Sequence, residues 1–261
     1  MGRTVTWRDK GHVGGRRRDL GHRLGLGRSV RLFRSFLSEQ TDPSGFYGLI
    51  ADDAVDLVSR HVDVAGLTVA DFGGGPGFYS QAFRAAGART VLVDADLDEI
   101  RLHGRRTPGS VVGLAEQSPL ADDSFDVAFS SNLLEHVPDL GAACDQITRV
   151  VRPGGIVVLS YTIWLGPWGG HETSPWHLLG GHRAARRYER KHGRPPKNRF
   201  GESMYPASVR DGLRWLRSRP DLEVLDLRPR YLPSWTSFLL RVPGLRELVT
   251  WNLWIVARRR R

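Results

Sequence analysis

The chain has 261 residues, 40% of them hydrophobic and 25% charged, a size and composition that suit one folded globular domain. No apolar run reaches the roughly 18 to 20 residues that a membrane span needs, and the basic N-terminus lacks the apolar segment of a signal peptide. The single cysteine, Cys144, excludes an internal disulfide and indicates a reducing compartment, which predicts a cytoplasmic protein.

The formal net charge of +10 comes almost wholly from arginine, because only three of the 38 basic residues are lysine. One interpretation is contact with an anionic partner such as nucleic acid, acidic lipid headgroups or a phosphorylated substrate. The other is a compositional bias of the coding genome, and both stay open. Aromatic residues do not alternate with the basic runs as they do on platforms that stack single-stranded nucleic acid.

Residues 1–45 are predicted to form a basic N-terminal arm and a short helix. At 29–38 the apolar residues Val30, Phe33 and Leu37 recur at helical spacing, which predicts an amphipathic helix. A turn is predicted at 42–45 and a second helix at 46–61. The rest of the chain, 46–261, is expected to be a single α/β domain.

Short β-rich runs alternate with helical stretches from residue 67 onward. Strands are predicted at 67–72, 90–94, 110–114, 125–130, 156–161, 222–227 and 251–257. Helices are predicted between them at 80–86, 97–103, 140–150 and 238–249. Strands separated by helices indicate βαβ units and therefore a parallel sheet.

A glycine-rich turn follows the first predicted strand. Asp71 comes first, and Gly73, Gly75 and Gly77 then let the backbone bend sharply and approach a ligand closely. The spacing differs from Gly-x-Gly-x-x-Gly and no Walker lysine follows, which weakens nicotinamide and nucleoside-triphosphate interpretations. Asp94 ends the next strand, where an acid can accept hydrogen bonds from both ribose hydroxyls of an adenosine ligand.

Between residues 67 and 161 these motifs resemble the class I S-adenosylmethionine-dependent methyltransferases, in particular the broad group that acts on small molecules, quinones, lipids and sugars. The segments 113–120, 123–128, 132–137 and 152–155 complete the family pattern in order. The resemblance implies a Rossmann-like fold with seven strands, mostly parallel, and helices on both faces. Residues 46–261 would then be the methyltransferase domain.

The resemblance also implies S-adenosylmethionine as the cofactor. The residues implied to bind it are Asp71, Gly73, Gly75, Gly77, Asp94, Ala115, Glu116 and Asn132. The family often has an acid where this chain has Leu114. Recognition of adenine would therefore rest on the backbone near Ala115 and on Glu116.

Segments that follow the fourth and fifth strands are expected to face the methyl group, because ligands lie outside the carboxyl ends of parallel strands. The first of them lacks the Pro-Pro-aromatic motif of enzymes that methylate nucleobase amino groups. Cys144 lies in a predicted helix rather than at this edge, and the three lysines are peripheral, so a nucleic acid acceptor is disfavoured. Glu135 and His136 are interpreted as bracing the segment beside the cofactor, with catalysis as the alternative.

Residues 164–205 interrupt the strand–helix pattern with three tryptophans, four histidines and a basic helical stretch. Long insertions of this kind are usually functional or disordered, and we expect this one to be a lid that binds the methyl acceptor. His171 or Glu172 is the predicted base for a hydroxyl proton. A metal held by these two with His177 and His182 is not predicted, because the spacing is not His-Glu-x-x-His.

The sequence therefore predicts a methyltransferase that methylates an oxygen of a hydroxylated small molecule, a class that includes glycans and glycolipids. The alternatives are a C-methyltransferase of the quinone or lipid type and a regulator that binds the cofactor without turnover. The basic arm, the basic and aromatic residues of the N-terminal helix, and the aromatic residues of 235–238 also suggest peripheral contact with an anionic membrane.

Overall fold

The computed structural model describes residues 25–38, 41–101 and 108–261. Nearly all of the arm predicted at 1–27 lies outside the described residues, as does the end of the helix predicted at 97–103. Helices α1 to α8 are Leu26–Leu37, Pro43–Val58, Phe78–Ala85, Leu97–Ile100, Leu140–Arg149, Gly181–His192, Val209–Arg217 and Leu245–Val249. Strands β1 to β7 are Thr68–Phe72, Arg89–Asp94, Ser110–Val112, Phe125–Ser131, Val151–Thr162, Leu222–Pro229 and Asn252–Arg259. Short 3₁₀ helices occupy Ala115–Gln117, Leu134–His136, His171–Thr173, Trp176–Leu179 and Ser234–Arg241.

The seven strands form one sheet in the order β3-β2-β1-β4-β5-β7-β6. Strands β1 to β5 pair in parallel, and β7 runs antiparallel to both of its neighbours. The predicted seven-stranded, mostly parallel sheet is thereby confirmed. The strand order reverses between β1 and β4, and such a switch point opens a ligand crevice at the carboxyl ends of the strands.

Each face of the sheet is covered by its own apolar core. On one face, α5 and α7 pack on β4 and β5, with Cys144, Ile147 and Trp215 among the buried residues. On the other face, α1, α2 and α3 pack on the same strands, with Leu32 and Ile50 buried. Because strands buried on both faces need apolar side chains in succession, β4 and β5 are near-continuous apolar runs in the sequence.

The N-terminal helix α1 is fixed to the sheet domain by a buried ion pair. The guanidinium of Arg28 donates two hydrogen bonds to the carboxylate of Asp53 in α2, at 2.6 and 2.5 Å. A third bond runs from Arg28 to the carbonyl oxygen of Arg230, at 2.8 Å. The helical extension at the N-terminus is therefore packed against the domain.

The predicted elements differ from those of the structure in several places. The turn predicted at 42–45 is the first turn of α2, because the Asp42 carboxylate caps the N–H of Gly45 and Pro43 suits the first helical position. The helix predicted at 238–249 is divided into a 3₁₀ helix and α8, which begins after Pro243 and Gly244. Residues 152–155 belong to β5, and α7 was not predicted.

Among the helices of the described ranges, none combines the length and hydropathy that a bilayer-spanning segment requires.

Candidate active site

The glycine-rich loop between β1 and α3 lies at the switch point of the sheet. Gly73, Gly75 and Gly77 all have left-handed backbones, with φ of +69°, +48° and +88°. A Cβ at Gly73 would lie 2.9 Å from the Cβ of Leu133, whereas a Cβ at Gly75 would have no heavy atom within 4 Å. Gly73 is therefore required for packing, and Gly75 borders open space in which a ligand can approach the backbone.

Asp71, the last acid before this loop, is fully buried at the end of β1. One carboxylate oxygen accepts a hydrogen bond of 2.7 Å from the Ser80 hydroxyl, and the other has no partner among the described residues. Burial raises the pKa of Asp71 to about 6, although the bonds from Ser80 act in the opposite direction. A buried oxygen without a partner suits a hydrogen-bond donor from a bound ligand.

Asp94, the predicted ribose-binding acid, connects the end of β2 to the glycine loop. Its two oxygens accept hydrogen bonds from the backbone N–H groups of Gly75 and Asp96, at 2.8 and 2.9 Å. Burial raises the pKa of Asp94 above its ordinary value. Since each carboxylate oxygen can accept a second bond, Asp94 can still receive both hydroxyls of a ribose.

The remaining predicted cofactor residues lie at the same edge of the sheet. Ala115 is buried and Glu116 half-buried in the 3₁₀ helix after β3, and Leu114 beside them is half exposed. Asn132 follows β4 with a φ of +56°, and its side-chain oxygen accepts a 2.8 Å bond from Asn252. The fold thus brings the predicted residues together at the carboxyl ends of β1 to β4.

A buried arginine below this edge was missed in the sequence. Arg230 has no exposed surface and donates to the hydroxyls of Ser131 and Ser160, at 2.7 and 3.1 Å. Ser160 in turn donates to Asn252, the residue that holds Asn132. The only signal in the sequence was Asn252 itself, a polar residue at the start of an apolar strand.

Three ionisable side chains meet where β4 and β5 end, and we call them the Glu-His-His cluster: Glu135, His136 and His171. One ligand-type atom from each lies within 4.8 Å of the others. Glu135 and His136 come from the 3₁₀ helix after β4, and His171 comes from the insertion. Burial lowers the pKa of His171, so its imidazole is neutral near pH 7.

Glu135 also braces the site. It accepts a hydrogen bond from the N–H of Thr162 at 3.1 Å, and its own carbonyl accepts one from Tyr205 at 2.8 Å. The interpretation of the Glu135–His136 segment as a brace is consistent with these bonds. The brace joins the ends of β4 and β5 to the end of the insertion.

The two predicted bases are separated in the structure. His171 is mostly buried in the Glu-His-His cluster, whereas Glu172 is exposed and accepts a 3.0 Å bond from the side chain of Asn198. The imidazole of His177 is buried elsewhere, 3.2 Å from the carbonyl of Gly166, and His182 is exposed beside Phe200.

The insertion at 164–205 is folded and crosses the cofactor edge of the sheet. A bond of 2.9 Å from Trp164 to Ala207 closes its base. Near its far end, Lys197 forms a 2.5 Å ion pair with Glu99 of α4, the helix that follows Asp94. The insertion therefore spans from the end of β5 to the ribose side of the site.

The tryptophans of the insertion are used mainly for packing. Trp164 contacts the rings of His177 and Phe200. Trp168 packs against Phe36 of α1 and against Trp251. Trp176 is 45% exposed and lies under the guanidinium of Arg187, 4.0 Å from it. Trp176 is thus the most exposed aromatic surface that the insertion offers.

Comparisons with known proteins agree on one family. Residues 70–159 match the family model of a methyltransferase domain. The chain is 45% identical over 251 residues to an uncharacterized methyltransferase of Mycobacteroides abscessus, covering 91% of this chain and 96% of the relative. It is 46% identical over 247 residues to another from Mycobacterium marinum, covering 90% and 95%.

Among solved structures, the fold is similar to that of an S-adenosylmethionine-dependent methyltransferase from Mesorhizobium loti. The TM-score is 0.55 at 21% sequence identity, over 80% of this chain and 98% of that one. The residues present suit S-adenosylmethionine as the cofactor, because Asp71 offers an unpaired buried acceptor and Gly75 leaves open space beside Asp94. The chain belongs to the class I S-adenosylmethionine-dependent methyltransferases.

Proposed function

We propose that this methyltransferase methylates an oxygen of a hydroxylated small molecule, and that its acceptor is a glycan or glycolipid. The observation that carries the proposal is the Glu-His-His cluster. Its carboxylate and imidazole atoms meet at the carboxyl ends of β4 and β5, the edge of the sheet that carries the proposed cofactor residues. A hydroxyl is a weak nucleophile unless its proton is removed or its pKa is lowered, and such a cluster can do either.

Bound S-adenosylmethionine supplies a methyl group on a positively charged sulfur. The residues of the chain hold and orient the two reactants. Asp94 and the loop at Gly75 position the cofactor, and the insertion covers the edge through the Lys197–Glu99 ion pair. Holding donor and acceptor in line is worth several kcal/mol of the barrier, and a covering lid also excludes water.

We also propose that the acceptor is met at the surface of an anionic membrane. On α1, Leu26, Val30, Phe33 and Leu37 form one exposed apolar stripe, and Arg31 and Arg34 are exposed on the same helix. Trp235 and Phe238 form a second group of exposed apolar side chains. The segment that carries them follows Arg230, whose carbonyl oxygen accepts a hydrogen bond from Arg28 of α1. Apolar side chains beside arginines are the combination that rests on acidic headgroups.

The test of the proposed activity is methyl transfer from isotopically labelled S-adenosylmethionine to a panel of hydroxylated glycans and glycolipids. Mass spectrometry and NMR of the product locate the methyl group. A methyl ether supports the proposal, whereas a new carbon–methyl bond supports the C-methyltransferase alternative. Tight cofactor binding without turnover on the panel supports a regulator.

The same assay tests the predicted bases. His171→Asn keeps a residue that tolerates the left-handed backbone at this position, where φ is +47°. It should lower kcat about 100-fold or more if the cluster activates the hydroxyl. Glu172→Ala should have a smaller effect, because Glu172 is exposed and bonded to Asn198. Cofactor binding should survive both changes.

A further inference from the structure

The Glu-His-His cluster has a feature that acid–base catalysis alone does not explain: two of its buried polar atoms have no hydrogen-bond partner among the described residues. Glu135 is 2% exposed, and its Oε1 accepts the N–H of Thr162 while its Oε2 has no partner among the described residues. The Nε2 of His171 is likewise buried and without a partner there. Burying such atoms without partners costs free energy, so each needs an explanation.

The third member presents a further lone pair. The Nδ1 of His136 lies 2.7 Å from the carbonyl oxygen of Ser203, which can only accept, so this nitrogen carries the proton. In the neutral ring, Nε2 of His136 is then the nitrogen that carries a lone pair. A histidine that donates from one nitrogen to a backbone carbonyl while the other faces a cluster is the usual arrangement of a metal ligand.

We propose that the Glu-His-His cluster binds a divalent transition-metal ion through Glu135 Oε2, His136 Nε2 and the imidazole of His171. Two imidazoles and one carboxylate suit Zn²⁺, Fe²⁺, Mn²⁺ or Co²⁺ and leave coordination positions open for a substrate. One ligand-type atom from each of the three residues lies within 4.8 Å of the others, so only a small closing movement is needed. The set differs from the four residues considered in the sequence and revises the prediction that no metal is bound.

The ion has a role in the reaction if the proposed O-methylation holds, and on that point this inference rests on the proposed function. A cation beside the acceptor hydroxyl lowers its pKa, so that the proton leaves to solvent and the oxygen becomes the nucleophile. The oxygen forms the new bond to the methyl carbon. The carbon–sulfur bond breaks with its electron pair remaining on sulfur, which becomes a neutral thioether.

The experiment measures metal binding without any acceptor. Full-length protein freed of metal with a chelator is titrated with Co²⁺, whose visible absorption reports the ligand set, and then with Zn²⁺ in competition. We expect about one ion per chain with micromolar or tighter Kd. His171→Asn and His136→Gln should each weaken binding about 100-fold or more, because each removes a ligand. In the second variant the glutamine amide can still donate to the Ser203 carbonyl, which preserves the local fold.

The matched control is His192→Ala, because His192 is an exposed histidine at the end of α6 that lies outside the cluster. It should bind Co²⁺ as the unchanged protein does. Unaltered cofactor binding and urea midpoints show that the variants are folded. The site is overturned if Co²⁺ and Zn²⁺ do not bind at millimolar concentration, or if the His171 and His136 variants bind them as tightly as the unchanged protein does.

The inference and the proposed function can fail separately. Full-rate methylation of a hydroxyl by metal-free protein overturns the catalytic role of the ion and leaves the proposed function standing. Metal binding that depends on His136 and His171, together with a carbon-methylated product, overturns the proposed function and leaves the site standing.

Discussion

The buried carboxyl of Asp71 makes the stability of the ligand-free protein depend on pH. Burial raises the pKa of Asp71 from 3.8 to about 6, so the folded state binds its proton more tightly than the unfolded chain does. This contribution to stability is therefore fully present below about pH 4 and is lost as the pH rises through about 6. A shift of this size corresponds to about 3 kcal/mol.

Asp71→Asn removes this titration and keeps a side chain of the same shape. We expect the free energy of unfolding of the unchanged protein to fall by about 2 to 3 kcal/mol relative to Asp71→Asn between pH 4 and pH 8, because a small part of the full effect is already lost at pH 4. Urea unfolding at several pH values measures this difference, in which the titrations of other groups largely cancel. Parallel pH profiles for the two proteins would show that the pKa of Asp71 is not raised by folding.

Gly75 borders the open space of the glycine-rich loop. In Gly75→Val the branched side chain would occupy the open space beside Asp94 where the cofactor approaches. Binding of S-adenosylmethionine, measured by calorimetry, should weaken on the order of 100-fold, or about 2.7 kcal/mol. The backbone itself is also strained by this change, because the φ of Gly75 is +48°.

The control for this strain is Gly66→Val. Gly66 has a φ of +75°, would also have no atom within 4 Å of a Cβ, and lies in the turn before β1, at the opposite edge of the sheet. Both variants should lose stability, but only Gly75→Val should lose the cofactor. Equal affinity in the two variants would refute the assignment of Gly75 to the cofactor site.

Among the helices, α1 depends on one buried ion pair for its position. Arg28 and Asp53 are each at least 94% buried, with exposures of 5% and 6%. Arg28→Ala would leave Asp53 buried and unpaired, which should cost about 3–5 kcal/mol in urea unfolding. Arg34 is an exposed arginine on the same helix, and Arg34→Ala should change the free energy of unfolding by less than about 0.5 kcal/mol.

A double substitution of Arg28 and Asp53 separates the contribution of the ion pair to stability from that of side-chain packing. Arg28→Met with Asp53→Leu removes both charges and keeps much of the buried volume, so most of the lost stability should return. If the single change costs no more than Arg34→Ala, then α1 is held by its apolar contacts and the ion pair contributes little.

The strands were predictable because each depends on a local pattern. The run at 67–72 is apolar and ends at a glycine turn, and it is found as β1 at Thr68–Phe72. Strand β5 begins earlier than predicted, at Val151, because that residue pairs with Phe125, and the extra residues between Val151 and Ile156 form a bulge in β5. The helix α7 was missed although its signals are present: Val209, Leu213 and Leu216 recur at helical spacing after the capping residue Ser208.

The candidate active site could be predicted from the sequence only in part. Asp71 and Asp94 lie at the ends of β1 and β2, and Gly75 follows β1 by three residues, so the topology of the sheet determines where they lie. His171 reaches Glu135 and His136 only because the insertion folds back through irregular turns, and no periodic pattern encodes that path. Glu172 is adjacent in sequence but lies outside the cluster for the same reason.

For the whole molecule, the exposed apolar groups on α1 and at 235–238 predict binding to anionic vesicles. Sedimentation should show binding to vesicles with acidic lipid at low salt, weaker binding at high salt, and little binding to neutral vesicles. Removing two arginines with Arg31→Ser and Arg34→Ser should weaken partitioning roughly 30-fold, at about 1 kcal/mol for each charge. Phe33→Ser with Trp235→Ser should remove the apolar part of the interaction.

The matched control for the apolar change is Val224→Ser, which replaces an exposed apolar residue that belongs to neither group, in the first half of the edge strand β6. This variant should sediment with vesicles as the unchanged protein does, because Val224 belongs to neither group.

Because the arginines supply the electrostatic part of the interaction and the aromatic residues the apolar part, the two sets of changes should differ in their response to salt. Loss of Arg31 and Arg34 should reduce the salt dependence, and loss of Phe33 and Trp235 should leave it unchanged. Vesicle binding that is equal for neutral and acidic lipid, or unchanged in both sets of variants, would refute docking through this face.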